Sequence, residues 1–328
     1  MQVYTIDFKK IPENLVPTSC CIGYFDGLHT GHQALLSCCI QMARENHLKS
    51  GLITFDPDPW KIFFPERDCK HITTLEDRKI LAKSMGIEIF YVIQFSKEFA
   101  SLNTDAFHRM LNQMQVKALT CGFDFKYASK NTGNIHTLQN QDGFKVSVID
   151  SINSHNEKIS SSRIEPLIQS GKLDVANDLL GYMYSVSGTI EHGYKRGTSL
   201  LDFPTANLKV NSDYLIPSSG VYAGIVSIQN IFYPCMINIG NNPTFHNKKT
   251  TIESYIFDFH EDIYDQNVRF YFLKKTRNEV RFSDFQALKN QLQKDIVSCQ
   301  KVIQKHQNFI LETAKLWNAK VFEFDRLF

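Results

Sequence analysis

No run of this chain is apolar for long enough to cross a bilayer as a helix. Its first ten residues, Met1 to Lys10, lack the apolar centre of a secretory signal. The eight cysteines are scattered or doubled, as in Cys20-Cys21 and Cys38-Cys39, with neither C-x-x-C spacing nor a disulfide framework. A reducing cytoplasm is therefore the expected setting. A net charge of only +2 leaves no chain-wide basic footprint for nucleic acid. Internal repeats and low-complexity tracts are missing too. What remains, at 328 residues with 43% apolar and 21% charged side chains, is an ordinary globular chain long enough for two domains.

Two grammars divide it. Up to about Gly181, short apolar runs alternate with amphipathic stretches. Leu52 to Phe55, Ile89 to Ile93, Ala118 to Cys121 and Val146 to Ile149 read as buried strands, and Asp77 to Met85 and Asp105 to Met114 as helices. Such alternation predicts a parallel sheet covered by helices, with ligands at the strand ends. Beyond Gly181, the runs Tyr184 to Ile190, Gly220 to Ile228, Phe232 to Ile237, Thr251 to Phe259 and Val268 to Leu273 are separated by turn residues without helices between them, which predicts an antiparallel barrel or sandwich. From Ser283 a helical stripe returns, through Phe285, Leu288, Leu292 and Ile296 to Ile310.

The most informative window is Gly23-Tyr-Phe25-Asp-Gly-Leu-His29-Thr-Gly31-His32, placed between a strand ending at Ile22 and a helix opening at Gln33. A glycine-bracketed strand-to-helix turn offers backbone N–H groups and the positive end of a helix dipole to phosphate. Two imidazoles added there can donate hydrogen bonds to a phosphoryl group as its charge grows, which is the chemistry of nucleotide transfer. As zinc ligands the pair would need two more, and the neighbouring cysteines come as adjacent doublets rather than spaced pairs. As plain surface histidines they would need no glycines around them.

The second constellation is Phe203-Pro-Thr205-Ala-Asn207. In an extended segment Thr205 and Asn207 point to one side, and a hydroxyl beside an amide oxygen suits Mg²⁺ carrying ATP phosphates. Upstream, Gly193-Tyr-Lys195-Arg196-Gly197 joins backbone flexibility to two cations. Downstream, period-two alternation puts Glu253 on one face with Tyr255, Phe257 and Phe259. A carboxylate there is either the partner of an arginine or a base with a shifted pKa.

The first window resembles the H-x-G-H nucleotidylyltransferases, and its FAD synthetase branch most of all. Thr54-Phe-Asp-Pro57, Phe99-Ala-Ser-Leu102, Gly122-Phe-Asp124-Phe125 and Ile159-Ser160-Ser161-Ser162 stand where that module has its own motifs. The second half resembles riboflavin kinase through Pro204 to Asn207, Gly220 to Ala223, Asn238 to Phe245, Thr251 to Glu253, Asp258-Phe259, and Arg277-Asn-Glu279 with Phe282. Together they resemble the bifunctional bacterial riboflavin kinase/FAD synthetase (FMN adenylyltransferase) family.

That resemblance implies an α/β fold: a Rossmann-like parallel-sheet nucleotidylyltransferase domain over residues 1–181, then an antiparallel β-barrel riboflavin kinase domain with a C-terminal helix over 182–303. Residues 304–328 form an extension of unknown role. It implies synthesis of FMN from riboflavin and of FAD from FMN, with ATP as co-substrate and Mg²⁺ at both sites. Neither nucleic acid nor membrane is an expected partner. Carried over position by position, His29, His32 and Glu253 would be catalytic. Gly23, Phe25, Gly31, Ser160, Ser161, Ser162, Gly193, Lys195, Arg196, Gly197, Thr205 and Asn207 would bind ATP, the last two through the metal. Asp124, Phe125, Arg277 and Phe282 would meet the flavin.

Departures from the family pattern concentrate in the first domain. Glu165 stands where the family has a phosphate-binding arginine, Asp58 where histidine is common, and Lys126 to Gly133 replaces an arginine-containing loop. In the barrel, Asp202 replaces a glycine, and Thr198 and Ser199 stand where cations are frequent. The alternative expectation is therefore a riboflavin kinase whose adenylyltransferase domain is slow or altered.

Overall fold

The computed structural model describes residues 1–191, 205–210, 213–242 and 249–322. Contacts divide the chain into two units, Met1–Ser161 and Ser162–Phe328.

The first unit holds a wholly parallel sheet of β1 (Gln2–Ile6), β2 (Thr18–Ile22), β3 (Lys49–Asp56), β4 (Ile89–Gln94), β5 (Val116–Gly122) and β6 (Lys145–Ile149), in the order β1-β4-β3-β2-β5-β6. Every residue of β2 is buried, which is why Cys20, Cys21 and Ile22 read as a continuous run rather than an alternating one. β1 escapes that pattern because it is an edge strand with its first two residues exposed. The helices are α1 (Thr30–Glu45), α2 (Pro59–Phe63), α3 (Leu75–Ser84), α4 (Lys97–Ala100), α5 (Thr104–Gln113) and α6 (Ile135–Gln139). Of these, α5 shows the expected stripe, burying Phe107, Met110 and Leu111 under an Asn103 cap whose Oδ1 accepts from the Ala106 N–H at 2.8 Å.

From β2 the chain steps outward to β3 and β4, then returns to lay β5 on the other side of β2. The carboxyl ends of β2 and β5 therefore flank a topological switch point, where open parallel sheets bind ligands. A short hairpin, β7 (Asn153–Ser154) with β8 (Glu157–Lys158), leads into the serine run.

The second unit opens with α7 (Ser161–Gln169) and α8 (Leu173–Leu180). These helices belong by contact with the barrel, although the strands start only after Gly181. Asn177 explains it: its Nδ2 donates to the Phe272 and Leu273 carbonyls at 2.9 and 3.1 Å, and its Oδ1 accepts from the Tyr184 N–H at 2.7 Å. The barrel strands are β9 (Tyr184–Glu191), β10 (Ala206–Val210), β11 (Gly220–Ile228), β12 (Ile231–Asn242), β13 (Lys249–Ile256) and β14 (Asn267–Arg277). They run β11-β14-β9-β10-β13-β12, and β12 pairs back onto β11, so the antiparallel sheet closes.

β13 stops at Ile256, and Asp258 adopts a left-handed φ of 50°. Glu253 and Tyr255 thus share a strand face as expected, whereas Phe257 and Phe259 lie beyond the strand and do not continue it. The helical stripe after Ser283 resolves into α9 (Phe285–Lys305) and α10 (Gln307–Leu316). The last described strand, β15 (Lys320–Val321), pairs in parallel with β12 at Ile231 and Phe232, past the point where β13 has left that edge. Trp317 is buried there, with the Arg269 guanidinium 4.0 Å above its ring. The extension therefore closes an open strand edge and contributes core.

Candidate active sites

The histidine window fills the turn between β2 and α1. Its backbone is tied down from two directions. The Tyr24 carbonyl accepts from Thr54 Oγ1 at 2.9 Å and from Arg78 Nη1 at 2.6 Å, with the same guanidinium 4.5 Å from the Tyr24 ring. The Asp26 carboxylate accepts from the Ile72 and Thr73 N–H groups at 3.1 and 2.8 Å, and from Thr73 Oγ1 at 3.0 Å. Phe25, in the left-handed region at φ 59°, is 1% exposed and meets the His32 ring edge-on at 5.2 Å. It supports the histidine from beneath, so any contact it makes with ATP would be through its backbone.

His29 is the N-cap of α1, and its Nδ1 accepts from the His32 N–H at 3.3 Å. In the neutral ring the proton then sits on Nε2, leaving that atom as a donor. The two rings stack with centroids 3.7 Å apart. Gly31 makes room for this, since a Cβ there would come within 3.1 Å of His29 Nδ1 and Cε1. Burial, reinforced by the Lys158 charge, lowers the His29 pKa to about 4. His32 is pushed well below its ordinary value by burial, by its stacked neighbour and by Lys158 and Arg78, and its Nδ1 is buried without a partner. Both shifts favour the neutral ring at physiological pH.

Ser161 Oγ donates to the Asp26 carbonyl at 2.9 Å, which fastens Ser161 to the window. At the end of β5, Asp124 is ion-paired with Lys158. Phe125 packs against the core with its ring stacked on Tyr127 at 5.7 Å, while Phe123 is 42% exposed and carries Lys158 Nζ 4.8 Å from its centroid. Asp58, where histidine was noted as common, caps α2 by accepting the Trp60 N–H at 2.7 Å and lies 3.6 Å from His71 Nε2.

In the barrel, Asn207 of β10 is directly opposite Glu253 of β13, and Glu253 is directly opposite Asn238 of β12. Cross-strand partners project from one face, so the three form a polar row. Thr205 immediately precedes β10, where Ala206 and Leu208 are buried on the alternate face. Burial raises the Glu253 pKa above its ordinary value, making it a stronger base when ionised. A Cβ on Gly240 would lie 3.5 Å from Glu279 Oε1 and 3.6 Å from Asn238 Nδ2, so a second carboxylate approaches the row.

Arg277 is clamped by Asp295 of α9, its Nε donating to both oxygens at 2.9 and 3.0 Å and its Nη2 to Oδ2 at 2.6 Å. Its Cζ lies 5.8 Å from the Phe282 ring, so these two predicted flavin residues are neighbours. Gly193, Lys195, Arg196 and Gly197 lie outside the described residues.

Two family models match the chain in sequence: FAD synthetase over residues 11–163 and riboflavin kinase over 180–303. The bifunctional riboflavin kinase/FMN adenylyltransferase of Listeria monocytogenes is 38% identical over 84% of this chain and 88% of its own length. That of Bacillus subtilis is 34% identical over 87% and 92%. The chain belongs to the bifunctional riboflavin kinase/FMN adenylyltransferase family. A crystal structure described as a macrolide-efflux protein from Streptococcus pneumoniae superposes with a TM-score of 0.85 at 31% identity, covering 92% of this chain and 99% of that one. Among the described residues no helix is long and apolar enough to cross a membrane.

Sequence reasoning did not name Lys158, Phe123, Asn238 or Glu279 as site residues, and the structure brings each beside an expected site residue or its neighbours. Asn238 could have been found by pairing the strands in register. The other three take their meaning from neighbours distant in the chain. The riboflavin kinase match ends at 303, before α10 and β15, so the closing strand is an addition to the matched module.

Proposed function

We propose that this chain makes FAD from riboflavin in two ATP-dependent steps, with the barrel unit phosphorylating riboflavin to FMN and the parallel-sheet unit adenylylating FMN. The observation that carries the reading is the presence in one chain of a neutral histidine pair at the switch point and an Asn207–Glu253–Asn238 row on a closed barrel.

In the kinase step Glu253 accepts the proton of the ribityl 5'-hydroxyl as its oxygen attacks the γ-phosphorus and ADP leaves. The donor set of Thr205 and Asn207, a hydroxyl and an amide oxygen next to a carboxylate, fits Mg²⁺. The metal would neutralise part of the charge on the ATP phosphates. Gly193, Lys195, Arg196 and Gly197 would contact those phosphates. Arg277, oriented by Asp295, and Phe282 would hold the flavin.

In the transferase step an FMN phosphate oxygen attacks the α-phosphorus and pyrophosphate leaves. No proton need move, so positioning and hydrogen bonding dominate. His29 contributes through Nε2–H and His32 stacks against it. Gly23, Gly31 and Ser160 to Ser162 shape the ATP contact, and Asp124 and Phe125 stand at the flavin side. All eight cysteines are free, which supports a reducing cytoplasm as the setting.

The test is direct. Protein incubated with riboflavin, ATP and Mg²⁺ yields FMN and ADP, then FAD and pyrophosphate. Riboflavin bound without consumption of ATP would overturn the reading.

A further inference from the structure

The carboxyl ends of β2 and β3 lie side by side in the parallel sheet, and each is followed within a few residues by a buried carboxylate. Asp26 belongs to the histidine window and Asp58 to the turn between β3 and α2. Their side chains are only 7% and 5% exposed. Carboxylates so withdrawn from water, at the end of a sheet that receives a polyphosphate, need partners of their own. Asp26 has the Ile72 and Thr73 N–H groups and the Thr73 hydroxyl. Asp58 has the Trp60 N–H and the Tyr24 hydroxyl, which burial keeps protonated by pushing its pKa up. Arg78 lies over the Tyr24 ring, but its guanidinium is spent on the Tyr24 carbonyl, Thr54 Oγ1 and the Thr74 carbonyl.

The group that stands between the two carboxylates is His71. Its Nδ1 lies 3.9 Å from Asp26 Oδ2 and its Nε2 3.6 Å from Asp58 Oδ2, with the ring 5.9 Å from that of Tyr24 between centroids. The backbone that carries it is stapled to the window. Ile72 and Thr73, the next two residues, donate to Asp26, and the Gly27 N–H donates back to Thr73 Oγ1 at 2.8 Å. Asp58 and His71 thus account for each other: where the family commonly has histidine this chain has a carboxylate, and an imidazole from a separate segment faces it.

We propose that His71 is a positioning residue of the adenylyltransferase site, tying Asp58 to Asp26 and keeping the Asp58 carboxylate engaged away from the nucleotide phosphates. The inference rests on the reading of the histidine window as an FMN adenylyltransferase site. His71 touches no reacting atom. Its loss would leave Asp58 with its charge but without that partner, and a carboxylate so released at the sheet end repels ATP. The effect of His71 therefore passes through Asp58 and falls on nucleotide binding.

The test measures FAD formation from FMN and ATP in wild type, His71→Gln, Asp58→Asn and the double variant. His71→Gln should raise the KM for ATP about 10-fold with kcat within about 3-fold. Asp58→Asn alone, whose amide oxygen still accepts the Trp60 N–H, should stay within about 2-fold, and adding it to His71→Gln should bring the KM back to within about 3-fold of wild type. An unchanged KM in His71→Gln overturns the inference. So does a double variant no better than His71→Gln, or a 10-fold rise in Asp58→Asn alone. His71→Arg, which still offers a donor to each carboxylate, should remain within about 3-fold of wild type and serves where the glutamine variant does not fold; a 10-fold rise in its KM for ATP also overturns the inference. A wild type that makes no FAD would instead remove the parent reading.

Discussion

His29 and Glu253 are both ionisable groups withdrawn from water in the two proposed sites, and withdrawal does opposite things to them. In the turn after β2, burial drives the imidazole pKa down to about 4, so the ring stays neutral and acts as a hydrogen-bond donor. On the β13 face, burial drives the carboxylate pKa up, so its ionised form has a higher affinity for a proton. Each shift suits the step assigned to it. Adenylyl transfer asks for hydrogen-bond donors, and phosphorylation of an alcohol asks for a base. A single physical cause, desolvation, thus equips two different chemistries, and the residue type decides which.

The comparison can be broken most forcefully in the first unit. Replacing both His29 and His32 by Ala should cut FAD formation from FMN by roughly 10³- to 10⁴-fold while FMN formation from riboflavin persists, as measured by separating the flavins after timed incubation. A comparable loss of kinase activity would mean that the sites are not separable. Next in size, Glu253→Gln should lower FMN formation by about 10³-fold and leave FAD synthesis from supplied FMN intact. A variant that still phosphorylates riboflavin at wild-type speed would return Glu253 to a structural role.

A smaller effect sharpens the geometry. Gly31→Ala places a methyl within 3.1 Å of the His29 ring and should slow FAD formation about 10-fold through misplacement alone, with the kinase unaffected. Full transferase activity in that variant would show that the ring stacking is not required.

How much of this could be read in the sequence differs between the two units in an instructive way. The histidine window was legible because glycines and histidines at fixed spacing report a local conformation, and α1 and β2 follow from it. The pairing of Lys158 with Asp124 was not legible, because a lysine before a serine run carries no pattern and its partner follows a strand distant in the chain. Which of Phe123 and Phe125 packs on the core was not legible for the same reason: alternation names two faces, and only the packed core says which is inside. In the barrel, strand register brought Asn238 beside Glu253, whereas the strand predicted through Phe259 ended early at the left-handed Asp258. β1 and β15 were hidden because edge strands bury too little apolar surface to print a signature.

The central claim is that the paired histidines work as neutral hydrogen-bond donors. It is tested most directly by NMR titration of the ring resonances of His29 and His32 in the whole protein. The prediction is that His29, with its proton on Nε2, retains the spectrum of a neutral imidazole from pH 8 down to about 5, and that His32 titrates below the ordinary value of 6.5. A midpoint near the ordinary value of 6.5 for either ring would contradict it, because the site would then hold its own positive charge near neutrality.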